Sequence, residues 1–191
     1  MNLTPEQVAR AEALLAFKHA WVTVRPAVAL VLRAPTRAPG FNDTAVFWRG
    51  AEPPLALEVT CDPGPSTLAR PANPKGAAVL APGVYPGMWQ AGLHKGRPAL
   101  RQVGPCTVDR VAPGVVVGGE DILFPSNPDT GLFGINFHNM GTPDWSAGCV
   151  GPRTQAEVDA VRALVGTTLV DVVVVAASAW GMNDLLPGGA A

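Results

Sequence analysis

Glycine and proline cut this chain into short pieces, and that limits it to short elements joined by turns. The 191 residues hold 21 glycines and 20 prolines, about a fifth of the chain and below the roughly 25–30% of low-complexity sequence. Hydrophobic residues make up 48%, enough for a substantial core. Charged residues make up only 15%, against roughly 25% in ordinary domains. The length fits one domain. Many short strands with few helices predict a mainly β or α+β fold in a single domain. The expected architecture is a twisted mixed sheet closing to a barrel or sandwich, with one helix at the N-terminus and one helix late in the chain.

The elements can be placed individually. Thr4 is an N-cap, Pro5 suits the first helical position and Gln7 can close a capping box, so a helix starts there. Val8, Leu14 and Leu15 form its apolar stripe. Residues 27–33 (AVALVLR), 44–49 (TAVFWR) and 55–61 (LALEVTC) read as strands. Residues 62–76 are too rich in proline and glycine for regular structure. Short apolar runs at 88–93, 99–103, 107–111, 115–117 and 132–137 predict further strands. Thr154 and Glu157 make a second capping box for a helix ended by Gly166, and 169–176 reads as a buried strand. The expected organisation is an N-terminal helical segment (1–26), a β-rich body (27–180) and a frayed tail (181–191).

Charge excludes some functions. The formal net charge is −1 and no Lys/Arg cluster stands out, which argues against nucleic acid as a partner and against a polybasic membrane anchor. No apolar run reaches the ~18 residues of a spanning helix, so no transmembrane segment is expected. The opening MNLTPEQVAR lacks the basic and apolar regions of a secretory signal. A role outside the cytoplasm would then need some other means of delivery. The three cysteines, Cys61, Cys106 and Cys149, are odd in number and form no CxxC, so a disulfide framework is not expected.

The stretch that points to chemistry is GINFHNMGTPDWSAGCVGPR, residues 134–153. It sets His138 at the end of a predicted strand and Cys149 in a glycine-flanked turn before a helix. A cysteine nucleophile needs a base such as imidazole to draw off its proton. It also needs an open approach, which Gly148 and Gly151 leave, and N–H donors for an oxyanion, which such a turn supplies. Cys61 and Cys106 sit at the ends of apolar runs and read as core thiols.

A strand ending in His, a polar loop, then Ser-x-Gly-Cys resembles the L,D-transpeptidase catalytic domain (the YkuD-like family). The stretches GLHKGRPALRQ (92–102), FGINFH (133–138), WSAGC (145–149) and NPKGAAVLAPGVY (73–85) are similar to a divergent phage and bacterial branch of it. The resemblance covers roughly residues 41–176 and is most specific over 130–153. It implies cysteine acyl chemistry on peptidoglycan stem peptides. Cys149 would be the nucleophile and His138 the general base, with Ser146 and Gly148 at the matching motif positions. Ala147 stands where the transpeptidases have a second His, and the His-to-Cys spacing is shorter than theirs. Both departures slightly favour hydrolysis over transfer.

A third group should hold the other nitrogen of His138. Asn136, Asp144, Ser146 and a backbone carbonyl are the candidates, and Asn136 shares a face with His138 in a regular strand. His94 and Lys95, in GLHKG, and Arg153 are candidates to bind a substrate carboxylate. Trp145 and Trp89 are candidates for lining the cleft. No cofactor is expected. The rival readings are a catalytically inactive wall-binding or phage structural module of the same fold, and a metal site built from His94, His138 and Cys149.

Overall fold

The structure is a computed structural model that describes residues 1–18, 27–35, 40–113, 125–142 and 146–187. The expected strand at 115–117, Asp144 and Trp145 lie outside these residues. The fold is mainly β. Its elements run α1 (Pro5–Lys18), β1 (Ala27–Arg33), β2 (Asp43–Arg49), β3 (Leu55–Val59), α2 (Pro65–Ala69) and β4 (Ala77–Leu80). Then follow β5 (Gly83–His94), β6 (Arg97–Gln102), β7 (Cys106–Val111), β8 (Pro128–Gly131), α3 (Gln155–Val165) and β9 (Val170–Ala176). Six strands form a mixed sheet in the order β3-β2-β1-β9-β5-β6, and β4-β7-β8 form a second, smaller sheet.

Continuous apolar runs put β1 and β9 at the centre of the large sheet. They pair in parallel, and every residue of both is buried, as expected of strands covered on both faces. On one face Ala27, Ala29, Val31, Val170, Val172 and Val174 pack with Trp89, Phe137 and the Val158–Val161–Val165 stripe of α3. On the other, Val28, Leu30, Leu32, Val173 and Val175 meet Ala11, Leu14 and Leu15 of α1 and also Met182 and Leu185. Alternate side chains of one strand thus serve two cores.

Single-residue bridges link the two edges of the large sheet. Phe137 exchanges both backbone hydrogen bonds with Leu100 of β6, at 2.8 and 2.9 Å. On its other side, Val150 N–H donates to Asn136 and His138 N–H donates to Val150. Gly151 in turn exchanges bonds with Thr60, one residue beyond β3. The hydrogen-bonded circuit therefore runs from β6 through 136–138 and 150–151 back to the end of β3, closing the sheet towards a barrel. Phe47, Trp89 and Phe137 fill its interior, with ring centroids 5.0–6.4 Å apart.

Several expectations change. Residues 132–137 make no regular strand. Gly134 turns the chain at φ 73°, and side chains replace the ladder: Gln102 Oε1 accepts from Phe133 and Ile135 N–H, and Trp89 Nε1 donates to the Ile135 carbonyl. Residues 62–76 do contain regular structure, the short helix α2 with proline in its first turn. Residues 181–187 are anchored where frayed chain was expected, and 188–191 lie outside the described residues. Met182 and Leu185 are buried, and Thr44 Oγ1 donates to the Leu185 carbonyl at 2.6 Å. Both capping boxes form: Thr4 with Gln7 and Thr154 with Glu157. Among the described residues, no helix is long and apolar enough to cross a membrane.

Candidate active site

The seam that closes the barrel carries the predicted residues. His138 follows the Phe137 bridge, and Cys149 precedes the Val150 bridge. Two glycines let the strips meet. Gly148 lies at φ 103°, and a Cβ there would sit 2.2 Å from the Ala78 carbonyl oxygen. A Cβ at Gly151 would sit 1.8 Å from the His138 carbonyl oxygen. Ser146 ties the turn together: its Oγ accepts from Gly148 N–H at 3.2 Å and donates to the Cys149 carbonyl at 3.3 Å. Ser146 and Gly148 thus shape the turn that presents Cys149.

A third strip completes the site. The β5–β6 hairpin turns in two residues, Lys95 and Gly96, between the paired His94 and Arg97. Both turn residues have positive φ, 48° and 78°, as a tight I′ hairpin requires. Lysine pays a conformational cost there that glycine does not. The hairpin carries His94, Lys95 and Arg97 to a cavity of about 540 Å³ that His138, Ser146, Ala147 and Cys149 also line. Gln155, at the start of α3, joins the wall and is held by bonds to the Pro98 carbonyl and Asp159.

The polar groups are individually oriented. His138 Nδ1 lies 2.8 Å from the Asn139 carbonyl oxygen. A carbonyl only accepts, so Nδ1 carries the proton and Nε2 is left as the basic nitrogen. The orienting group is thus a backbone carbonyl. Asn136 does not play that part: its Oδ1 accepts from Gln102 N–H and its Nδ2 lies 3.0 Å from His94 Nδ1. The rings of His94 and His138 stack, with centroids 4.3 Å apart and planes 16° from parallel.

Burial pushes the Cys149 thiol above its ordinary value, opposed by a backbone hydrogen bond from Asn136 and by the charge of Lys95. Burial lowers His138, with the Asn139 bond opposing and His94 and Lys95 adding to the fall. His94 is lowered by burial and by Lys95. Burial thus favours the neutral thiol and the neutral imidazoles in this site. Cys149 Sγ donates to the Gly134 carbonyl at 3.3 Å, and no hydrogen bond joins it to His138 among the described residues. Its own backbone N–H has no partner among those residues. Cys61 and Cys106 are buried core thiols; burial raises both, Cys106 to about 12.

Arg153 is the predicted residue that the structure takes away. Its guanidinium lies 4.3 Å from the Phe41 ring centroid and 3.8 Å from Glu58, outside the cavity lining. Trp89 likewise belongs to the core, fully buried. Arg97, not named from the sequence, lines the cavity, and the sequence held a signal for it. In a two-residue hairpin the residues flanking the turn are paired and share a face, so Arg97 follows from His94. No group of three or more His, Cys, Asp or Glu among the described residues is arranged to hold a metal.

No family model, no curated protein and no solved structure matches the chain.

Proposed function

We propose that this protein is a cysteine enzyme of acyl transfer or hydrolysis acting on peptidoglycan stem peptides, with Cys149 as nucleophile and His138 as general base. One observation carries the reading. The Cys149 thiol and an imidazole already committed to the Nδ1–H tautomer line the same cavity. In such a site the Sγ proton passes to His138 Nε2 as sulfur attacks the acyl carbon, and His138 returns it to the leaving amine. Water then resolves the thioester for hydrolysis, or an acceptor amine does so for transfer, and hydrolysis is slightly favoured. Lys95 and Arg97 put two cations on the cavity and Asp and Glu are absent from its described lining, which suits a substrate bearing carboxylates. The peptidoglycan assignment itself rests on the sequence resemblance.

A second reading, a catalytically inactive wall-binding or phage structural module, draws on the hydrogen bond that ties the thiol to Gly134 rather than His138. Incubation with purified stem peptides, followed by chromatography and mass spectrometry, separates the two. The enzyme reading expects peptide cleavage or exchange that Cys149→Ala abolishes in a folded protein. The module reading expects wall binding that Cys149→Ala leaves intact, and no turnover.

A further inference from the structure

The tautomer of His94 is fixed by hydrogen bonds that begin on the main chain. The Gln102 N–H can only donate, and it meets the Asn136 side chain at 2.8 Å. The receiving atom is therefore the amide oxygen. The amide nitrogen, a donor only, faces His94 Nδ1 at 3.0 Å. Nδ1 must accept, so the neutral ring carries its proton on Nε2. His138 is set the opposite way by the Asn139 carbonyl. Two stacked imidazoles thus bring a lone pair and an N–H donor to one cavity.

His94 is also held in that neutral state. A second proton would place Nδ1–H against the Asn136 amide hydrogens. It would also add a charge beside Lys95, whose field, with burial, already lowers the ring. A neutral ring brings no charge to a substrate carboxylate, which weakens the role expected for His94 from the sequence.

We infer that His94 is a catalytic residue whose Nε2–H donates to the carbonyl oxygen of the acyl group that Cys149 attacks. This rests on the reading of Cys149 as nucleophile. As the S–C bond forms, the Sγ proton moves to His138 Nε2 and the carbonyl π pair moves onto oxygen. That oxyanion accepts from His94 Nε2–H and from the N–H of Cys149, which has no partner among the described residues. The pair then returns, the C–N bond breaks, and His138 gives its proton to the leaving nitrogen. His94 keeps its own proton throughout, as an electrostatic donor.

The test joins long-range ¹H–¹⁵N imidazole spectra of the full chain at pH 7 with stem-peptide turnover by His94→Ala. Expected are an Nε2–H tautomer at His94 and an Nδ1–H tautomer at His138. His94→Ala should lose about 10²–10³-fold in kcat while its Cys149 alkylation rate and circular dichroism match wild type. An Nδ1–H tautomer or an imidazolium at His94 overturns the inference, as does an unchanged kcat in His94→Ala. Failure of the underlying reading looks different: wild type leaves stem peptides intact, or Cys149→Ala processes them as wild type does. The inference then falls with it, whatever the spectra show.

Discussion

His94 and His138 stack with ring centroids 4.3 Å apart, although one ends β5 and the other follows the Phe137 bridge. The antiparallel bridge between Leu100 and Phe137 draws the two segments together. Stacked imidazoles repel when both are charged, and Lys95 adds a third cation. The arrangement therefore favours neutral rings, one basic and one donating.

That neutrality sets the pH dependence. His138 titrates below its ordinary value, and only its unprotonated form can take the thiol proton. Activity should fall as pH drops through a point below about 6.5, the ordinary histidine value. The raised Cys149 thiol leaves no acidic thiolate to sustain the rate under those conditions. A kcat/KM profile from pH 4.5 to 9 checks this. Lys95→Ala should move the acid limb upward, because the charge that lowers His138 is gone.

Lys95 and Arg97, not Arg153, should govern affinity. Arg97→Glu and Lys95→Glu are expected to raise KM several-fold for substrates with a free carboxylate. Arg153→Ala should leave KM unchanged. Its half-exposed partnership with Glu58 is of a kind worth about 0–1 kcal/mol, so urea denaturation should detect little. A KM increase in Arg153→Ala would mean that the cavity reaches further than described.

Gly148→Ala should damage both stability and turnover. A side chain at φ 103° is strained by about 1–3 kcal/mol, and its Cβ would collide with the Ala78 carbonyl. Gly151→Ala should be worse, since its Cβ would force the His138 backbone away from the Cys149 strip. Thermal unfolding beside peptide turnover measures both effects. Wild-type behaviour in either variant would show that the seam is looser than these contacts require.

A second polar cluster serves the fold. Buried Arg33 pairs with Asp62, lies 3.7 Å from Asp43 and donates to the Leu80 carbonyl. Asp43 also accepts from the backbone of Ala34 and Cys61. Asp43→Ala would remove one carboxylate from a buried cation and strand two N–H groups. A loss of roughly 3–5 kcal/mol is expected, read as a lower urea midpoint, with the Cys149 cavity intact in the protein that remains folded.

Local signals carried much of this fold. The apolar runs at 27–33 and 169–176 marked two strands, the second as buried, and Thr154 with Glu157 marked the start of α3. His138 and Cys149 were each singled out from the sequence, and they line one cavity. What sequence could not give was direction. Arg153 follows Cys149 closely yet turns to Phe41 and Glu58, because the Gly151–Thr60 bridge aligns that strip with the end of β3. Residues 132–137 carry a strand-like pattern, but Gln102 and Trp89 satisfy their backbone with side chains. Asn136 was placed beside His138 from the sequence, and its partner proved to be His94, contributed by another strand.

In the proposed reaction Cys149 forms a covalent acyl bond with help from His138. Its most direct test is intact-protein and peptide mass spectrometry after rapid mixing with stem peptides and acid quenching. Expected is an acyl adduct confined to the peptide containing Cys149, absent in Cys149→Ala and formed far more slowly in His138→Ala. Stem peptide consumed without any Cys149 adduct, or consumed equally well by Cys149→Ala, would contradict it.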